Sequence, residues 1–198
     1  MNKFKFAPLH WFALMAGLML PLWAHAHPVV TDAASGFAFG FAHPFSGLDH
    51  LAAMVAVGLW AAQLGGRAIR LVPLTFIGVM VLGGMLGMAG ISLPLAEQGI
   101  VLSVLLLGVM IAASVRLPLW LSCSLVGLFA LCHGHAHGSE MPVGSVAATY
   151  ALGFVLATAA LHVSGILLGV GVQRMLRKQA LPLVGIGIAM CGAYLATS

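Results

Sequence analysis

Two short stretches hold most of the residue types able to bind a metal ion. The first is His43-Pro44-Phe45-Ser46-Gly47-Leu48-Asp49-His50. Two imidazoles and a carboxylate gathered around a helix start form a nitrogen and oxygen ligand set suited to a divalent first-row cation. Ser46 and Asp49 also fit a helix start alone, with serine as cap and the acid near the positive end of the dipole. That reading leaves His43 and His50 unexplained. The second stretch is Cys132-His133-Gly134-His135-Ala136-His137-Gly138-Ser139-Glu140-Met141-Pro142. If a helix continues through it, His133 and His137 share a face and His135 points elsewhere; an extended backbone would line up all three. Glu140 follows before the proline. A histidine-rich tract can also be a plain surface chelator.

Two further histidines stand apart. His162 lies within an apolar run, where an ionisable group is a functional candidate by default; the alternative is a neutral ring bonded to Thr158 one turn back or to a neighbouring helix. His27 becomes the first residue if the chain is cut after Ala26, and its amine and imidazole could then chelate as a pair. Cys123, Cys132 and Cys191 lie in apolar runs and suggest no disulfide framework.

These residues sit in a chain that cannot be an ordinary globule. Of 198 residues, 62% are hydrophobic and 6% charged, against roughly 25% charged in a soluble domain. Mean hydropathy is +1.11. This excludes a soluble enzyme, a disordered chain and a nucleic-acid binder, and indicates an all-α, polytopic integral membrane protein. The eight Lys and Arg read as topology signals rather than a basic patch.

Residues 1–26 have the form of a cleaved signal peptide. Lys3 and Lys5 precede the apolar stretch Leu9 to Leu22, and Ala24-His25-Ala26 is a small-x-small cleavage site. An uncleaved first helix is the alternative. Residues 27–198 then form a single transport-sized domain of six transmembrane helices, near 46–64, 71–90, 98–115, 117–136, 146–170 and 180–197. With the mature N-terminus periplasmic, Arg67, Arg70, Arg116, Arg174, Arg177 and Lys178 all fall on the cytoplasmic side, whereas Asp32, Glu97 and Glu140 fall outside. Trp60 and Trp120 would mark the inner interface, Tyr150 and Tyr194 the outer. The first helix should break at His43-Pro44, because the residue before proline is pushed out of the helical region, and should restart near Ser46. Gly36 to Phe41 would form a short outer segment. Gly83 with Gly87, Gly165 with Gly169, and Gly185 with Gly187 supply small faces for close helix packing.

The run Gly40-Phe41-Ala42-His43-Pro44-Phe45-Ser46-Gly47-Leu48-Asp49-His50-Leu51, continuing to Val57-Gly58-Leu59-Trp60-Ala61, resembles the HupE/UreJ family of hydrogenase- and urease-accessory nickel permeases. His133-Gly134-His135-Ala136-His137-Gly138-Ser139-Glu140-Met141-Pro142 is similar to the family's second motif. The resemblance extends over essentially the whole chain. It implies uptake of Ni²⁺, or Co²⁺ in some relatives, across the bacterial inner membrane, with a link to hydrogenase or urease maturation. Matching positions are His43, Asp49 and His50 in the first motif and His133, His137 and Glu140 in the second; His135 falls where the pattern is open. The expected activity is permeation, with the cation as cargo, no prosthetic group and no enzyme chemistry. His162 would relay the ion inward. No Walker A sequence and no GxSxG elbow is present. Two rival readings are a bis-His haem electron carrier, which needs a partner for His162 such as His133, and an intramembrane metallohydrolase with Asp49 or Glu140 as base.

Overall fold

The computed structural model describes residues 33–142, 144–175 and 180–198. The expected signal peptide, His27 and the basic pair Arg177 and Lys178 lie outside them. The described residues form seven helices and no strand: α1 (Ala33–Ser46), α2 (Leu48–Leu64), α3 (Ala68–Met88), α4 (Ala96–Ala112), α5 (Leu119–Ser139), α6 (Ala147–Met175) and α7 (Ala180–Leu195).

Three of these, α3, α5 and α6, are long and apolar enough to cross a bilayer, and α1 with α2 would together make a fourth, bent by 83°. Helices α4 and α7 are apolar but shorter, 17 and 16 residues. At a rise of ~1.5 Å per residue each is about 25 Å long, a little under the hydrocarbon thickness of about 30 Å.

The bend does not fall where the proline predicts it. Helix α1 runs through Pro44 and ends at Ser46, and the break is at Gly47, whose backbone is extended (φ −108°, ψ 128°). Proline forfeits one helical hydrogen bond, and α1 tolerates that loss. Ser46 does not cap α2. Its hydroxyl donates back to the His43 carbonyl at 2.7 Å and closes α1 instead. Gly47 suits the corner because a Cβ there would press on the Asp49 carboxylate and the His50 ring. The N-cap position is Gly47, which has no side chain to cap with; Asp49 instead serves the first turn from within, its Oδ1 accepting the His50 backbone N–H at 2.7 Å near the positive end of the helix dipole.

Glycines let the helices approach to backbone contact. The most extensive pair is α3 with α5. Gly83 and Gly87 of α3 lie against the Leu131 and His135 carbonyls; Gly134 and Gly138 of α5 lie against the Met80 and Gly84 carbonyls. Gly58 of α2 and Gly165 of α6 meet in the same way, and Gly185 of α7 abuts Ala112 of α4. Gly187, expected to pack with Gly185, faces open space. Such contacts replace the hydrophobic driving force that lipid does not provide between helices. The core they enclose includes Met54, Trp60, Phe76, Met80, Leu107, Ile111 and Val126.

The aromatic belts need a correction. Trp120 and Tyr194 point outward, 68% and 66% exposed, but Trp60 and Tyr150 are buried. Trp60 donates its indole N–H to the Val115 carbonyl at 3.2 Å, so it ties α2 to the α4–α5 connection. Hydropathy counts an aromatic near a helix end as interfacial; burial depends on which face carries it.

Candidate metal site

The 83° bend turns the end of α1 back over the start of α2, and the C-terminal end of α5 rises beside both. This brings the two sequence stretches together. The ring centroids of His43 and His137 are 4.6 Å apart, those of His50 and His137 4.4 Å, and those of His50 and His133 5.1 Å. Helix α5 continues to Ser139, so of the two backbones open to the sequence the helical one is found. His133 and His137 face the cluster from successive turns.

Two overlapping ligand groups result. His50, His133 and His137 form one; His43, His137 and Glu140 form the other. Within each, one ligand atom per residue lies within 4.8 Å of every other, so modest side-chain movement could close each around a cation. His137 belongs to both. The groups differ in exposure. His43 and Glu140 have side chains 27% and 54% exposed, with Nε2 and Oε2 3.2 Å apart. His50 is 12% exposed, and His133 and His137 are essentially closed off.

Burial without hydrogen bonds is the unusual feature. His50 Nε2, His133 Nδ1 and both ring nitrogens of His137 are buried and have no partner among the described residues. Unmade hydrogen bonds of this kind cost roughly 1–3 kcal/mol each, and native structures hold few of them. Three neutral rings offer one lone pair each, and leaving them unmatched in one cluster is the arrangement expected of lone pairs kept for a ligand. Helix packing holds them in place: Gly134 and Gly138 seat α5 against α3, the His137 ring lies 3.9 Å from that of Phe154, and the Phe76 ring packs on His133 at 5.5 Å.

Asp49 is engaged with the His50 ring. Its Oδ1 is 2.8 Å from His50 Nδ1 and is already bound to the backbone. A carboxylate accepting Nδ1–H fixes the neutral tautomer that leaves Nε2 free, as carboxylates do behind metal-binding histidines. Asp49 is in neither ligand group.

His135 and His162 are not brought into the cluster. His135 turns to the far side of α5, where Nε2 reaches the Ile91 carbonyl at 2.7 Å, beside an open groove of about 240 Å³ that Glu97 and Glu140 also line. His162 is buried deeper in the bundle, with neither nitrogen partnered among the described residues. Thr158, one of the partners open to a merely structural His162, donates to Met80 Sδ at 3.7 Å instead. The Phe76 ring that touches His133 also touches His162, centroids 5.0 Å apart. Four residues at the cluster were not candidates from the sequence: Phe76, Phe154, Tyr150, which reads there as an interface aromatic and instead lies beside His43, and Ser103, whose hydroxyl oxygen is 3.0 Å from His133 Nε2. Only Ser103 carried a signal, as the lone polar side chain between Gln98 and Ala112.

A bundle of apolar helices with buried imidazole lone pairs collected at one end defines a membrane protein with a candidate cation site. The HupE / UreJ protein family matches it over residues 14–195. Protein HupE of Rhizobium leguminosarum bv. viciae is 51% identical over 152 residues, 77% of this chain and 78% of the relative. The chain therefore belongs to the HupE/UreJ family, a family of metal-transport and accessory proteins rather than enzymes. No solved structure matches it.

Proposed function

We propose that this protein is a permease that carries Ni²⁺, or Co²⁺, into the cytoplasm across the bacterial inner membrane, in support of hydrogenase or urease maturation. The observation that carries this reading is the set of unpartnered ring nitrogens on His50, His133 and His137, converging from α2 and α5 in a chain of the HupE/UreJ family. Six crossings after a cleaved signal peptide remain the topology that puts every basic loop residue on one side.

The two ligand groups suggest two successive ion positions. A hydrated cation first meets the exposed Glu140 and His43, which exchange part of its water for oxygen and nitrogen. It then passes to His50 and His133. His137, shared by both groups, keeps one ligand on the ion during the step. Neither position offers a full octahedral set from protein atoms, so the ion keeps water and binds weakly enough to leave, as conduction requires. Ni²⁺ and Co²⁺ suit imidazole and carboxylate ligands. His162 is a relay further along, reached past Phe76. His27 would act as an outermost ligand at the mature N-terminus, and His135 is the residue least suited to hold the ion.

The test is uptake into proteoliposomes containing only this protein, comparing Ni²⁺, Co²⁺, Zn²⁺ and Cu²⁺. The expected result is saturable Ni²⁺ or Co²⁺ entry that His137→Ala abolishes. Entry no faster than in empty liposomes, from protein shown to be folded, would overturn the reading.

A further inference from the structure

His133 is gripped from a helix that contributes nothing to either ligand group. Ser103 lies midway along α4, fully buried. Its Oγ is 2.6 Å from the Ile100 carbonyl oxygen and 3.0 Å from His133 Nε2. A serine hydroxyl has one proton, and a carbonyl oxygen can only accept. The short contact to Ile100 therefore takes that proton. Oγ is left as an acceptor, and the hydrogen bond to the ring must come from His133 Nε2–H. A neutral imidazole carries one N–H, so Nδ1 keeps its lone pair. Nδ1 is the nitrogen of His133 that is buried without a partner among the described residues.

We propose that Ser103 is a positioning residue: its hydroxyl selects the Nε2–H tautomer of His133 and so presents Nδ1 to a divalent cation held with His50 and His137. The proposal rests on the metal-carrying reading above and adds to it which atom of His133 meets the ion, and what decides this. It also explains why a lone hydroxyl is kept in an otherwise apolar stretch of α4. The device mirrors the one at His50 with the nitrogens exchanged. There Asp49 accepts Nδ1–H and leaves Nε2 free; here a hydroxyl accepts Nε2–H and leaves Nδ1 free. Two rings entering from different helices thus offer lone pairs to one place without either having to flip. A neutral oxygen suffices at His133, since the site around it is closed to water.

The experiment uses the full-length protein, ¹⁵N-labelled at histidine, stripped of metal and reconstituted in lipid, with His133 assigned by its loss in His133→Gln. Ring nitrogen shifts should report the Nε2–H tautomer. Ser103→Ala should shift the ring to the other tautomer or a mixture, and Ser103→Thr, which keeps a hydroxyl able to bond one turn back, should preserve it. Titration with Ni²⁺ should show affinity about 10–100-fold weaker in Ser103→Ala, the range for outer partners of metal ligands, and near normal in Ser103→Thr. An Nδ1–H tautomer in the native protein, or a tautomer unmoved by Ser103→Ala, would overturn the proposal whatever happens to affinity. If the tautomer responds as expected but the native protein binds no Ni²⁺, the transport reading fails while control of the His133 ring by Ser103 stands.

Discussion

The two ends of helix α2 treat buried polar groups in opposite ways. At its N-terminal end, His50 meets His133 and His137, and four ring nitrogens are left without partners among the described residues. At its C-terminal end the donors are used. Gln63 Nε2 donates to the Ile111 carbonyl at 3.1 Å and to Ser114 Oγ at 3.2 Å, and Trp60 donates to Val115; among the described residues only Gln63 Oε1 is left over at this end. The four ring nitrogens are buried, and so are Gln63 and Trp60, so burial of these groups does not separate the two ends. The difference lies in what the polar atoms do. One end spends its hydrogen bonds on holding α2 to the α4–α5 connection. The other withholds them, which costs stability and is worthwhile only where something else fills the lone pairs.

This contrast can be broken most sharply at His137. It belongs to both ligand groups, so His137→Ala should weaken Ni²⁺ binding by more than the roughly 100-fold upper range for an outer partner, measured by equilibrium dialysis on reconstituted protein. Retained binding would mean that the withheld lone pairs serve no ion.

Asp49→Asn comes next. The amide fills the same space but no longer provides a charged acceptor for His50 Nδ1–H. Affinity should fall about 10–100-fold, as for a residue that orients a ligand, with helix content unchanged by circular dichroism. A loss as deep as that of His137→Ala would make Asp49 a direct ligand, the role its sequence motif first suggested.

The packing beneath the cluster is open to a different probe. A Cβ on Gly134 would run into the Met80 carbonyl, so Gly134→Ala should lower resistance to denaturant by about 1–3 kcal/mol, the usual cost of overpacking, and weaken Ni²⁺ binding as α5 shifts. Unchanged unfolding would show that α3 and α5 are not so closely seated.

At the opposite end, Trp60→Phe removes one hydrogen bond and some volume. Stability should fall by about 1 kcal/mol while Ni²⁺ affinity stays at the native value. A change in affinity would show that the two ends are coupled. His135→Ala should have the smallest effect on uptake, because that side chain turns to Ile91 on the far side of α5. If it proves the most damaging of the three α5 histidines, the helical geometry of this segment is wrong.

Much of this protein was legible one residue at a time. Composition and hydropathy establish a helical membrane chain, because twelve charged residues cannot clothe a soluble surface of this size. Spacing puts His133 and His137 on one face once the segment is helical, since four residues make about one turn. The two motifs lie more than 80 residues apart in the chain, and it is packing that brings their rings within about 5 Å. What the sequence could not supply was the position of the bend, the burial of Trp60 and Tyr150, and the division of labour among the polar groups. Proline at 44 signals a break by a local rule, yet the chain turns at Gly47, where a side chain would collide with Asp49 and His50. Asp49 looks like a ligand by type and spacing; whether it faces an ion or a neighbouring ring depends on rotamer and approach. Ser103 is 30 residues from His133, and no local pattern links them. Periodicity is a property of one helix, whereas a lone pair is freed or spent by whichever atom another helix brings within 3 Å of it.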